Sequence, residues 1–349
     1  MGILRLLLSL VAITLGAAET PTTGTRYRGV VFPPVFREQD FRDLVPSRAN
    51  LVRWQIRDER PGIPDSLDGA AYDAWLAGEL DEVAQALEAC RRHGFALVID
   101  LHAPIGGRRA GGDLALLYDV RLRDAFVRQW TTIATRFRGH PALWAYGLVN
   151  EPGQLQPTTP DLDYLATQER AARAIRAVDP TSTILVAAKM ADGPEGFVDL
   201  RPIPVAGVAY EVHLYVPMAF THQGVEGDTV GVRYPGIIAG HQADRAALRR
   251  VLEPVRRFQT IHGVRIYVGE FSAVRWAPGA AAYLTDCIAL FEEFGWDWTY
   301  HAYREWPGWS LEPGVHHLRR PDGSAYPADD PGRLEAVLRG FARNPPRTP

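Results

Sequence analysis

A chain of 349 residues, 46% hydrophobic and 23% charged, has room for one large α/β barrel or two average domains and can bury a full core. Disordered, collagen-like and multi-span membrane classes are excluded by that balance. Thirty-eight basic residues against 41 acidic ones leave a net charge of -3, and no run of like charge follows a phosphate backbone, so nucleic acid is not an expected partner.

The N-terminus reads as a secretory signal over residues 1–18. Met1 to Arg5 carries the positive charge, Leu6 to Leu15 is apolar, and the small residues Gly16, Ala17 and Ala18 close the segment. The apolar run falls short of the ~20 residues needed to span a bilayer. The expected product is a secreted or periplasmic chain, a single domain over residues 19–349 with no membrane span and acting as a monomer. Its cysteines, Cys90 and Cys287, fall in separate helical patterns and are expected to be buried free thiols.

From there the chain alternates short apolar or β-branched runs with stretches of helical period, the mark of βα units and a parallel sheet. Strands are predicted over 27–32, 51–56, 96–101, 143–149, 183–187, 207–213, 265–269 and 296–300. The helices between them are predicted over 70–92, 119–137, 161–178, 244–262, 280–294 and 331–343, with short, weak helices in the first and fifth positions. Glycines at 94, 263 and 295 are read as helix stops. Eight such pairs predict a single-domain (β/α)8 TIM barrel over about residues 26–345. A doubly wound open sheet competes with it, but Val31-Phe32-Pro33-Pro34 follows the first strand where a glycine-rich dinucleotide loop would stand.

Chemistry in such a barrel collects at the carboxyl ends of the strands. Arg53 lies on the second strand, Asp100-Leu101-His102 ends the third and Asn150-Glu151-Pro152 follows the fourth. Glu211-Val212-His213-Leu214-Tyr215 ends the sixth, Gly269-Glu270-Phe271 the seventh and Trp298-Thr299-Tyr300-His301 the eighth. Each alone has a structural explanation, such as a rim salt bridge, a helix cap or a satisfied histidine. Together they place two glutamates on opposed strands beside histidines and an arginine, which is costly unless their chemistry is used. Paired carboxylates across one bond suit glycoside hydrolysis, one protonating the leaving oxygen and the other attacking the anomeric carbon. Arg53 and Tyr215 would keep Glu270 ionised, Glu151 beside His213 would act as acid, and Asn150 would bond the sugar 2-hydroxyl. A metal-dependent hydrolase is a weaker alternative, because His102, Glu151, His213 and Glu270 are all potential ligands. No short-spaced metal motif supports it and Arg53 would repel a cation, so neither metal nor cofactor is expected. A carbohydrate-binding barrel without activity would have no use for two opposed carboxylates.

These residues, in this order, resemble clan A glycoside hydrolases and most of all family 5, the cellulase-like family, over about residues 27–343. The resemblance implies Glu151 as acid/base, Glu270 as nucleophile, and Arg53, His102, Asn150, His213 and Tyr215 as their supports or sugar contacts. It implies a secreted glycosidase acting on β-linked carbohydrate, most readily β-glucan or β-mannan. The eighth strand departs from the family pattern Trp-Xaa-Tyr-Trp: His301 stands where a tryptophan normally forms the floor under the sugar. Stacking is then either lost or taken over by at least one of Trp276, Trp306 and Trp309 in the adjacent loops, read as exposed at the barrel mouth.

Overall fold

A computed structural model describes residues 24–57, 69–225, 227, 229–312, 318–320 and 323–346. The signal segment predicted over 1–18 lies outside them. The chain runs β1 (Arg28–Phe32), α1 (Glu38–Leu44), β2 (Leu51–Gln55), α2 (Gly69–His93), β3 (Ala96–Asp100), α3 (Val120–Phe137), β4 (Leu143–Gly147), α4 (Tyr164–Val178), β5 (Thr183–Ala187), β6 (Val208–Leu214), α5 (Arg245–His262), β7 (Arg265–Phe271), α6 (Ala280–Phe294), β8 (Asp297–Tyr300) and α7 (Arg333–Phe341). The eight barrel strands pair in parallel, and β8 closes on β1, giving the expected (β/α)8 barrel. Strands covered by helices outside and packed against one another inside are buried on both faces, which is why they read as continuous apolar runs.

Boundaries moved where side chains cap helices. Asp119, Asp163 and Asp244 accept backbone N–H bonds ahead of α3, α4 and α5 and stand outside those helices. The predicted 161 start of the fourth helix is instead a 3-10 turn, Pro160–Leu162. After β5 only the 3-10 turn Pro194–Phe197 takes the helical position, in line with the weak fifth pattern. Gly263 and Gly295 end α5 and α6 in the left-handed conformation. Cys90 on α2 and Cys287 on α6 are buried thiols, not joined in a disulfide. Among the described residues, no helix is long and apolar enough to cross a membrane.

The barrel interior is layered. Leu51, Val98, Trp144, Ala145, Leu185, Ala209 and Tyr267 form one apolar cluster inside the strands. By the two-residue period of a strand, the next inward positions toward the carboxyl end are Arg53, Asp100 and Glu211. One irregularity then sets the site. Val212 pairs with Val268 but His213 pairs with Glu270, so Gly269 is an extra residue in β7. Strict alternation from Tyr267 would turn Gly269 inward and Glu270 outward; the bulge leaves Gly269 facing the interior and brings Glu270 inward as well. A Cβ at Gly269 would lie 1.8 Å from Glu211 Oε1, so a side chain there would have to displace that carboxylate.

Candidate active site

Arg53 is fully buried at the base of the mouth. Its Nη2 lies 3.2 Å from Asp100 Oδ2 and 3.1 Å from Glu211 Oε1, and donates to Asn150 Oδ1 at 3.1 Å. Its Nη1 makes a close ion pair with Glu270 Oε1. One guanidinium thus gathers three carboxylates, and its planar fork fixes their directions. His102 Nδ1 bonds Asp100 Oδ2 at 3.0 Å, and its Nε2 faces the Asn150 amide nitrogen at 3.4 Å. Both ends of the Asn150 amide are therefore oriented, and one amide hydrogen remains for a ligand.

Glu270 is held on both oxygens. Besides Arg53, Oε1 accepts from Gln55 at 3.3 Å, while Oε2 accepts from the Tyr215 hydroxyl at 2.8 Å and lies 3.2 Å from His301 Nδ1. Burial alone would raise its pKa, but His301, His213 and Arg53 outweigh that and hold the carboxyl well below the usual range, so it is ionised. Tyr215 is pushed well above an ordinary phenol by burial and by the Glu270 and Glu151 charges, so it stays a donor.

Glu151 reaches the same space from the opposite wall with a more open side chain, 32% exposed against 5% for Glu270. His213 Nδ1 stands between them, 3.0 Å from Glu151 Oε1 and 3.8 Å from Glu270 Oε2, with Nε2 on Glu211 at 3.2 Å. An oxygen of Glu151 and one of Glu270 lie within 4.8 Å of each other. The Glu151 backbone has a φ of 47°, a left-handed conformation held from both sides. Its N–H donates to Asp192 Oδ2 at 2.8 Å and its carbonyl accepts from Arg108 at 3.0 Å.

His213, although burial disfavours its charge, is raised well above the ordinary histidine range by Glu270, Glu151, Glu211 and Asp192. As an imidazolium it carries hydrogen on both ring nitrogens, Nδ1 toward Glu151 and Nε2 toward Glu211.

The pocket, about 530 Å³, is lined by Gln55, Arg57, His102, Glu151, Glu270, His301, Glu305 and Trp309 among others. Arg53, His102, Asn150, Glu151, His213, Tyr215, Glu270 and His301 therefore converge as expected from the sequence. The loop tryptophans do not behave as a set. Trp276 is 1% exposed, donates its indole N–H to the Gln223 carbonyl and stacks on Tyr326 at 3.7 Å, so it is core and not a platform. Trp306 sits edge-on between Trp276 and Trp309 and does not line the pocket. Trp309 alone of the three reaches it, packed against His222 and His301. The expectation of three exposed rings fails because they bury one another.

Sequence reasoning missed Gln55, Asp192 and Glu305, and named Asp100 and Glu211 at the strand ends without giving them a role. Asp100 and Glu211 each precede a recognised histidine by two, which on a strand means the same face, so that signal was present. Asp192, in a turn where Met190, Ala191 and Asp192 all have positive φ, and Glu305, in an irregular loop, carried none.

A (β/α)8 barrel with an ionised carboxylate and a second carboxylate across a pocket at the strands' carboxyl ends has the form of a glycosidase. The chain belongs to the cellulase family, glycosyl hydrolase family 5, whose family model matches residues 15–311, and it is an enzyme that hydrolyses glycosidic bonds. Endoglucanase C of Acetivibrio thermocellus is 25% identical over 255 residues, 63% of this chain and 72% of that protein. A beta-xylosidase of Phanerodontia chrysosporium is 25% identical over 216 residues, 58% of this chain and 41% of that protein. In structure the chain superposes on Thermotoga maritima Cel5A in complex with cellobiose with a TM-score of 0.67 at 20% identity, covering 89% of this chain and 96% of that one. The same enzyme with mannotriose gives 0.65 at 18%, covering 90% and 97%.

Proposed function

We propose that the protein is an exported, monomeric, retaining glycosidase that cleaves β-linked glucan or mannan by double displacement. Glu270 is the nucleophile and Glu151 the acid/base. The observation that carries this reading is the approach of the two carboxylates to within 4.8 Å, which suits the ~5–5.5 Å separation of retaining enzymes and leaves no room for the water of an inverting one, whose carboxyls stand roughly 6.5–9.5 Å apart. Their surroundings divide the labour. Glu270, enclosed among cations and donors, is ionised and aimed; Glu151, open to the pocket, has access to leaving group and water.

In the first step Glu270 attacks the anomeric carbon while Glu151 passes its proton to the departing oxygen. In the second, Glu151 takes a proton from water as that water displaces Glu270. Asn150, with one amide hydrogen left over, hydrogen-bonds the 2-hydroxyl, and Trp309 offers the pocket an aromatic edge. The substrate class is supported by the endoglucanase named among the relatives and by the cellobiose and mannotriose bound by the structural neighbour. Export is supported by the composition of residues 1–18. Treatment with an activated 2-deoxy-2-fluoro-β-glucoside or mannoside tests the reading. One label per chain on Glu270 is expected, and labelling elsewhere, or continued turnover without any label, contradicts it. Assays on cellulose, mixed-linkage glucan, mannan and xylan then identify the polymer from the products.

A further inference from the structure

The position where the family resemblance leads one to expect an apolar ring is occupied by a charged chain of contacts. His301 Nδ1 lies 3.2 Å from Glu270 Oε2 and 2.5 Å from the Tyr215 hydroxyl oxygen. Its Nε2 is in close contact with Glu305 Oε2, and Glu305 Oε1 receives Arg57 Nη2. The three linked side chains are enclosed: Glu270 is 5% exposed, Glu305 10% and His301 13%. The imidazole lies nearly parallel to the Trp309 ring, at 13° and 6.0 Å between centroids, which fixes its plane. Burial would strip its proton, but Glu305 and Glu270 raise its pKa to about 10, so both ring nitrogens carry hydrogen at neutral pH. The groups facing it are Glu270 on β7, Tyr215 after β6, Glu305 on its own loop with Arg57 behind it, and His213 beyond the Glu270 carboxylate.

We propose that His301 is a catalytic residue of the second chemical step, an imidazolium anchored by Glu305 that stabilises the Glu270 carboxylate as it leaves the sugar. This rests on the reading of Glu270 as nucleophile. In the first step the bond from Glu270 to the anomeric carbon forms, the glycosidic bond breaks, and the Glu151 proton goes to the leaving oxygen. Glu270 loses its charge, and the His301 imidazolium keeps only Glu305 as counter-ion. In the second step the bond from Glu270 to the sugar breaks, its electron pair returns to the carboxylate, and water adds to the anomeric carbon while giving its proton to Glu151. Negative charge then redevelops on an oxygen 3.2 Å from the Nδ1 of that cation, an attraction present where charge appears. The same contact makes Glu270 a weaker attacking group and a better leaving group, so it favours breakdown of the intermediate over its formation. A tryptophan in that position would carry no charge.

The test uses the whole chain and separates the two steps. The specificity constant kcat/KM for a dinitrophenyl β-glycoside reports formation of the glycosyl-enzyme, and reactivation of the 2-fluoro-trapped enzyme reports its breakdown. For His301→Gln, reactivation is expected to slow about tenfold or more while kcat/KM changes less than about threefold. Glu305→Gln, which keeps the side-chain shape and leaves the ring a weaker cation, should move reactivation in the same direction by a smaller factor, and decides the matter should His301→Gln not fold. His301→Trp should behave like His301→Gln. Reactivation at the wild-type rate in the glutamine variants, an equal loss in kcat/KM, or wild-type behaviour of His301→Trp would each overturn the proposal. Labelling of Glu270 in the wild-type chain tests the underlying reading separately, since it does not depend on His301.

Discussion

Replacing Arg53 by methionine removes a cation that binds three buried carboxylates while keeping most of the side-chain length. Asp100 and Glu211 lie 3.2 and 3.1 Å from it, and Glu270 is closer still. At such distances each attraction is about 5 kcal/mol with an effective dielectric near 20, and desolvation of four ionised groups offsets much of it. The net loss expected is about 3–5 kcal/mol, the cost of stranding partners of a buried ion pair. The pH dependence follows from Glu270, whose native pKa lies well below its ordinary value. A depressed carboxylate stabilises the fold above its unfolded pKa, about 4.3, and that contribution is lost as pH falls through the native value. The wild type should therefore exceed Arg53→Met by most near neutrality, and the gap should narrow in acid. The acid limb of kcat/KM should move up by roughly 1–3 units, the shift an adjacent arginine produces. Urea unfolding at about pH 7 and pH 4, with a pH profile on an aryl glycoside, measures both. A gap of constant size with an unmoved acid limb would mean that Arg53 acts by packing alone.

Glu151→Ala should cost substrates with poor leaving groups 100-fold or more, an order-of-magnitude figure for lost general-acid catalysis (~10²–10⁴), and activated aryl glycosides far less; equal losses on both would remove Glu151 from the acid role. Gly269→Ala puts a methyl 1.8 Å from Glu211 Oε1. It should destabilise by about 1–3 kcal/mol and reduce kcat by turning Glu270, and a stable, fully active variant would contradict the bulge as the device that orients the nucleophile. Exhaustive chelation should leave activity unchanged, because double displacement by Glu270 and Glu151 needs no metal; loss restored by a divalent ion would contradict that reading.

Parallel strands buried on both faces and helices with aspartate caps and glycine stops leave strong local patterns, so the barrel and the rim positions of Arg53, His102, Glu151, His213 and Glu270 were legible in the sequence. Legibility ended where geometry departs from period or where partners are distant. Glu270 faces inward only because Gly269 breaks the alternation of β7. Trp276 reads as a rim aromatic until Tyr326, far along the chain, covers it. Asp192 and Glu305 act from irregular segments, where residue type alone carries no direction. His301 was recognisable as a departure from the family pattern, but its contact with the nucleophile was not, since that depends on Glu305 and Tyr215 holding the ring in place.

The central claim is that Glu270 and Glu151 act in sequence across a single sugar carbon. Proton NMR of the first-formed reducing sugar, recorded before mutarotation, tests it most directly. Double displacement predicts that the β-anomer appears first and the α-anomer grows in later. An initial α-product would show that water, not Glu270, attacks the substrate.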